Sequence, residues 1–184
     1  MEAIIIFILK TAWYYLPIGV ANMLPVIFRR WFKFLALPLD GGKLWRGQPI
    51  FGPNKTLRGL LIAGLGGTLI FVIQRYAFLQ SDFFQNISLI NYERTSLFLG
   101  TLMGLGALAG DLIKSFIKRR IGLTPGSSWV PFDQIDYALG GMLFSLSLYV
   151  PPLPIFIFTP LLGLFLHLAS NQIGQAIGLR QAAW

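Results

Sequence analysis

The sequence has no cysteine, which excludes disulfides, thiolate nucleophiles and cysteine-ligated zinc. Charge is scarce as well: 12% of the 184 residues are charged, against roughly a quarter in a soluble domain, and only seven are acidic. No repeat of fixed period and no low-complexity tail interrupts the chain, and its ends leave little room for a separate soluble domain. The first residues carry neither the basic region nor the small-residue cleavage site of a signal peptide, so the first apolar run is expected to stay as a helix. What remains is apolar: 55% of residues are hydrophobic and the mean hydropathy is +0.66. A chain of this kind has lipid as its solvent, and it is expected to be an all-α, polytopic integral membrane bundle.

Apolar runs near the ~20 residues that an α-helix needs to cross the hydrocarbon layer recur five times. Spans are expected at about 3–28, 57–79, 95–117, 131–150 and 153–179, forming one transmembrane catalytic domain over residues 1–184. Pro17 and Pro25 are expected to kink the first or to mark a break that neighbouring helices must support. The segments between spans differ in charge. Arg29, Arg30, Lys33, Lys43, Arg46, Lys55 and Arg58 follow the first span with Asp40 as the only acid, and Lys114, Lys118, Arg119 and Arg120 close the third. With Arg180, twelve of the fifteen basic residues fall on one side of a five-span arrangement. The bias of lysine and arginine toward the cytoplasm then puts loops 29–56 and 118–130 inside, with the N-terminus outside and the C-terminus cytoplasmic. A short amphipathic helix is expected over Arg29–Leu37, with Trp31, Phe32 and Phe34 in the interface. Gly100, Gly104, Gly106 and Gly110 offer small-residue faces for close packing of the third span.

Three of the seven acids, Asp111, Asp133 and Asp136, stand at the cytoplasmic ends of the third and fourth spans. A carboxylate in a spanning helix costs on the order of 2.5 to 3.5 kcal/mol unless it is paired or faces water, which makes function the default reading. Asp133 and Asp136, at i and i+3, share one helical face, where they repel unless a cation lies between them. Magnesium suits such ligands, since it takes one or two protein carboxylates together with waters and substrate phosphates. The plainer reading is that these aspartates cap a helix N-terminus and favour its dipole.

Phe51-Gly52-Pro53-Asn54-Lys55-Thr56-Leu57-Arg58-Gly59 sets Lys55 and Arg58 in a glycine-framed loop suited to phosphate. It is not a P-loop, because Asn54 stands where that motif needs glycine. Ser115 lies four residues after Asp111 on the same helical face and is a candidate for binding phosphate or a metal-bound water. A serine there more often bonds its own backbone. His167, Asn171 and Gln175 form a polar stripe expected to face the bundle interior. Asn22, in the first span, is read in the same way.

Together, Gly110-Asp111-Leu112, Ser115, Lys118-Arg119 and Asp133-Gln134-Ile135-Asp136 resemble the signature of CDP-diglyceride synthases, in which a serine and a Lys-Arg pair precede Asp-x-x-Asp. The short length, Ala21-Asn22-Met23 with Pro25, Pro38-Leu39-Asp40-Gly41-Gly42-Lys43, and Lys55-Thr56 with Arg58-Gly59 resemble the compact branch, CDP-archaeol synthase. The His-Gly-Gly of larger relatives is replaced by Trp129-Val130-Pro131-Phe132, as fits the compact branch, and Gln134 stands in place of an arginine.

The resemblance implies a magnesium-dependent cytidylyltransferase of the plasma membrane, with its active site facing the cytoplasm. CTP and a lipid phosphate, of the 2,3-di-O-geranylgeranyl-sn-glycerol-1-phosphate type, would give a CDP-lipid and pyrophosphate in phospholipid biosynthesis. Asp111, Asp133 and Asp136 would be catalytic metal ligands and Lys118 a catalytic cation. Lys55, Thr56, Arg58, Ser115, Arg119 and Asn22 would bind CTP or phosphate, and no nucleic-acid partner is expected. A small ion or solute transporter is the competing class, since intramembrane acids also mark ion pathways, although five dissimilar spans show no inverted repeat. A non-enzymatic membrane subunit is the third.

Overall fold

The computed structural model describes residues 1–176, apart from the side chains of His167, Ser170, Asn171 and residues 173–176. The His167, Asn171 and Gln175 stripe, the end of the fifth expected span at Leu179, and Arg180 therefore lie outside the described residues. Six helices carry the described chain: α1 (Glu2–Ile27), α2 (Leu57–Gln80), α3 (Asp82–Asn86), α4 (Phe98–Arg120), α5 (Phe132–Ser145) and α6 (Leu153–Ala176). A hairpin of β1 (Leu44–Trp45) and β2 (Gln48–Pro49) lies between α1 and α2.

The helices α1, α2 and α4 are each long and apolar enough to cross a membrane. Their outward faces stay apolar, Leu65 being 70% and Leu69 56% exposed, as a surface solvated by lipid requires. Side-chain pairings give the direction of each pass. The basic end of α4 meets the start of α5 through Lys118 and Asp133. At the opposite end, Tyr149 donates to the carbonyl of Leu89, in the segment between α3 and α4. The chain then returns along α6, where Phe158 packs edge-on against Phe7 near the start of α1 and the Gly163 carbonyl accepts a bond from Tyr137.

The fourth expected span, about 131–150, is corrected by this structure: the helix covers 14 residues, about 21 Å of rise, and the rest of the pass is made by turns. The hydroxyls of Ser145 and Ser147 donate to the carbonyls of Met142 and Phe144, which also accept the N–H groups of Leu146 and Ser147, and the turns run on to Tyr149 ahead of Pro151 and Pro152. Helix α1, by contrast, stays continuous through both prolines. Pro17 has no N–H to give the Trp13 carbonyl four residues back, and the Gln74 side-chain amide of α2 donates to that carbonyl instead, at 2.6 Å.

Glycines let the three central helices touch. A Cβ on Gly67 or Gly104 would overlap a backbone oxygen across the α2–α4 contact, and one on Gly106 or Gly140 would do so across α4–α5. The small residues of α4 thus serve two faces: Gly100 and Gly104 turn to α2, Gly106 and Gly110 to α5. Beneath them lie Tyr14, Ile18, Phe71, Leu99, Met103 and Met142, all essentially inaccessible. The buried hydroxyls pair with each other, Tyr14 with Ser145 at 2.6 Å and Tyr15 with Tyr137 at 2.8 Å.

The loop from 28 to 56 is ordered by bonds to its own backbone. Instead of the helix expected over Arg29–Leu37, two short 3-10 turns, Phe28–Arg30 and Lys33–Leu35, are separated by Phe32 in a left-handed conformation (φ 48°). Trp31 and Phe34 remain exposed. The loop closes on itself where the Leu39 N–H donates to the Lys55 carbonyl and the Leu57 N–H to the Leu37 carbonyl. Arg46 and Gly47, at φ 53° and 75°, make the two-residue hairpin turn, which requires positive φ at both positions. Burial works to raise the Asp40 carboxyl, but the N–H groups of Gly52, Phe51 and Gly42 donate to it and hold it below the ordinary carboxylate range. Its contribution to loop order is present above that range and is lost as pH falls through the depressed value.

Candidate active site

On α4, residues 111, 114, 115 and 118 fall at spacings of three, four and seven, one face of a helix. Gly110 allows that face to lie directly on α5, since a Cβ there would fall on the Asp136 carbonyl oxygen. The first turns of α5 then bring Asp133 and Asp136 opposite Asp111. All three carboxylates meet at one atom. The Lys114 ammonium lies 3.0 Å from Asp111 Oδ1, 3.0 Å from Asp133 Oδ1 and 2.9 Å from Asp136 Oδ2.

Two further lysines complete the network. Lys55, delivered by the loop before α2, pairs with the second oxygen of Asp111. Lys118 sits 3.0 Å from both oxygens of Asp133 and also donates to the Ser127 carbonyl. Asp133 accepts the Trp129 N–H at 2.6 Å as well, so it ties down the start of α5 while belonging to the cluster. Three carboxylates and three ammonium groups balance in charge. Asp136 is the exception in hydrogen bonding: its side chain is 8% exposed, Lys114 is its single ion-pair partner, and Oδ1 has no partner.

Two cavities meet at this network. The larger, about 780 Å³, is bounded by Ala21, Asn22 and Val26 of α1, by Thr56 and Arg58 of α2, and by Asp111 and Asp133. The smaller, about 220 Å³, is bounded by Gly52, Ser115, Lys118, Arg119 and Ser127. Pro53, Asn54, Lys55 and Lys114 line both and form the wall between them. Val26 is 63% exposed, so the larger cavity borders the lipid-facing surface of α1.

The remaining residues expected at the site fall around these cavities in different roles. Asn22 lines the larger cavity. Thr56 caps α2, its hydroxyl accepting the Gly59 N–H at 3.3 Å. Arg58 donates to the carbonyls of Arg29 and Trp31, which fastens the loop over the larger cavity. Ser115 is buried beside the smaller cavity, and Arg119 donates to the Thr124 carbonyl while its Nε stays buried and unpartnered. Lys114, central to the cluster, is counted from sequence only as part of a basic patch, although its spacing of three from Asp111 is the sign that it shares the face.

Hard carboxylate oxygens on two helices, with a buried Asp136 oxygen lacking any donor, match the ligands that magnesium takes. Among the described residues no three acidic side chains stand in a ready-made metal-ligand group, because the Lys114 ammonium lies between them. The donor set therefore suits the ion in chemistry, with a lysine in the middle.

A family model described as CarS-like, CDP-archaeol synthase, matches residues 4–184. The CDP-archaeol synthase of Pyrococcus furiosus is 36% identical over 182 residues, covering 96% of this chain and 98% of that protein. That of Methanosphaerula palustris is 37% identical over 159 residues, covering 80% and 89%. A solved structure described as an intramembrane enzyme for archaeal membrane lipids biosynthesis superposes with a TM-score of 0.67 at 29% identity, over 85% of this chain and 89% of its own.

Proposed function

The chain belongs to the CDP-archaeol synthase family and is a membrane cytidylyltransferase that makes a CDP-lipid from CTP, and we propose that the Asp111, Asp133 and Asp136 cluster between the two cavities is where it does so. The observation that carries this reading is one ion-pair network of three carboxylates and three lysines, drawn from α4, α5 and the first basic loop, in which Lys55 and Lys114 line both cavities, Asp111 and Asp133 the larger and Lys118 the smaller. Neither the transporter nor the non-enzymatic reading finds support among the relatives.

An oxygen of the lipid phosphate attacks the α-phosphorus of CTP. A new phosphorus–oxygen bond forms there, and the bond from that phosphorus to the oxygen bridging the β-phosphate breaks, releasing pyrophosphate. No side-chain nucleophile is needed, so the protein's work is binding, alignment and stabilisation of charge. Lys55, Lys118 and Arg119 face the phosphates. Lys55, on a loop held by Asp40 and the Leu39 and Leu57 bonds, positions them along the shared wall. Asn22 and the α1 side of the larger cavity, next to the lipid-facing Val26, admit the lipid phosphate, which we take to be ether-linked as in the family name. Magnesium, which Asp111, Asp133 and Asp136 would hold, supplies neutralising charge to the triphosphate and its leaving group. The cytoplasm holds nucleotide, and the excess of basic residues in the two loops bounding the cavities supports a site on the cytoplasmic side of the plasma membrane. The direct test is pyrophosphate release from CTP with a panel of ether-linked and ester-linked lipid phosphates. Turnover with none of them would end the assignment.

Lys55→Ala is expected to raise the CTP concentration for half-maximal rate by about tenfold, ~1.4 kcal/mol, with a smaller fall in the rate at saturation. A loop lysine contributes uniform binding to phosphate, so initial rates across a CTP titration that match wild type would remove this loop from the nucleotide site. Sidedness is tested with single cysteines, which the cysteine-free sequence makes clean. Ser128 and Asn86 are both exposed, on segments at opposite ends of α4. A membrane-impermeant maleimide is expected to label Ser128→Cys only from the cytoplasm and Asn86→Cys only from outside. External labelling at Ser128 would separate the site from its nucleotide.

A further inference from the structure

We propose that Lys114 is a built-in cation that fills the three-aspartate cluster until nucleotide arrives, so that the cluster accepts a divalent metal only when phosphate is present to receive the displaced ammonium. The inference rests on reading the cluster as the metal site. One ammonium lies 2.9–3.0 Å from an oxygen of each of three aspartates, although neither oxygen of Asp136 gains a hydrogen bond. Magnesium takes oxygen ligands at about 2.0–2.1 Å, so the same three oxygens cannot hold both cations at once.

The consequences of moving Lys114 differ among the three aspartates. Asp111 keeps Lys55 and Asp133 keeps Lys118, but Asp136 has no other ion-pair partner and would be left as a buried, bare carboxylate. A buried charge stripped of its partner is strongly unfavourable, and Asp136 thereby demands a replacement cation whenever Lys114 leaves. Lys114 has somewhere to go, since it lines both cavities and sits on the wall that the proposed reading assigns to the phosphates. The balance of charge points the same way. With three lysines against three aspartates, a divalent ion added alone leaves an excess of two positive charges in a poorly screened site, whereas a triphosphate brings the anion that offsets them. Metal and nucleotide affinities are therefore coupled through this lysine, reciprocally.

The test uses the full chain in detergent, with Mn²⁺ as the probe followed by electron paramagnetic resonance, without lipid so that no turnover occurs. Wild type is expected to bind Mn²⁺ weakly alone and at least about tenfold more tightly with CTP. Lys114→Met is expected to bind Mn²⁺ alone about tenfold more tightly than wild type, and to lose most of the strengthening by CTP. Lys114→Gln, whose amide still donates to the carboxylates, should behave alike and serves if the methionine variant does not fold. Unchanged or weaker binding of Mn²⁺ alone in these variants overturns the proposal, as does wild-type binding that is equally tight with and without CTP. Asp136→Asn separates the two levels of inference. If it leaves Mn²⁺ binding with CTP intact, the metal assignment itself fails. If it abolishes that binding while the Lys114 variants gain nothing, only the role of Lys114 fails.

Discussion

Asp136→Asn is expected to lower turnover by at least about a hundredfold, ~2.7 kcal/mol in barrier, while the protein inserts, purifies and melts within a few degrees of wild type. The asparagine keeps the shape of the side chain. It removes a charge whose structural obligations are few: one ion pair with Lys114 and no hydrogen bond to the fold. Asp133→Asn should lose a similar amount of turnover but also lower the melting temperature, because Asp133 accepts the Trp129 N–H and faces Lys118 with both oxygens. An amide accepts through one oxygen only, so one of those contacts is left unmade in a buried setting. The pair of variants thus divides chemistry from scaffold. Retention of more than about a tenth of the wild-type rate by both would mean that the carboxylates serve the bundle and not the reaction. A selective melting loss in Asp133→Asn alone, with rate preserved, would return that residue to the plainer role of helix cap.

The extent to which this was legible beforehand follows from which forces act locally. Long apolar runs dictate α1 and α2 to within about a residue and α4 with a shift of three, because lipid leaves the backbone no partner except its own helix. The three aspartates stood out for the same reason, a charge in that setting needing a cause. What the sequence hid depended on partners far along the chain. Pro17 calls for support from a neighbouring helix, but only the fold shows that it is the distant Gln74 that supplies the bond the proline forfeits. Helix α5 gives way after Ser145 to turns whose backbone bonds continue to Tyr149, a change of winding that hydropathy does not register. Arg58 lines the larger cavity and also donates through Nη1 to two loop carbonyls, contacts that exist only once the 28–56 loop has folded back. Lys114 does not stand out in the sequence, because membrane orientation already explains a basic patch at a helix end. Its position three residues from Asp111 carries the better explanation.

Gly110→Val is expected to abolish turnover and to lower the melting temperature sharply, and Gly110→Ala to do both in smaller measure. A Cβ at Gly110 falls on the carbonyl oxygen of Asp136 and close to the Cα of Gly140, both backbone atoms that cannot rotate aside. The two helices must therefore separate. Overpacking of this kind costs about 1–3 kcal/mol per added group, and valine adds more than one. The larger effect is on the site. Asp111 and Lys114 ride on α4 and Asp133 and Asp136 on α5, so any widening of that contact pulls the cluster apart, and a displacement near 1 Å in a catalytic group is worth about a hundredfold in rate. Gly104 supplies the comparison. Its Cβ would meet the Ala63 carbonyl on α2, a clash of the same kind on the other face of α4. Gly104→Ala should therefore destabilise about as much as Gly110→Ala while losing less turnover at temperatures where both are folded. Melting curves paired with CTP-dependent pyrophosphate release decide between them. Equal activity loss for equal stability loss would mean that the α4–α5 contact supports the bundle without setting the geometry of the aspartates.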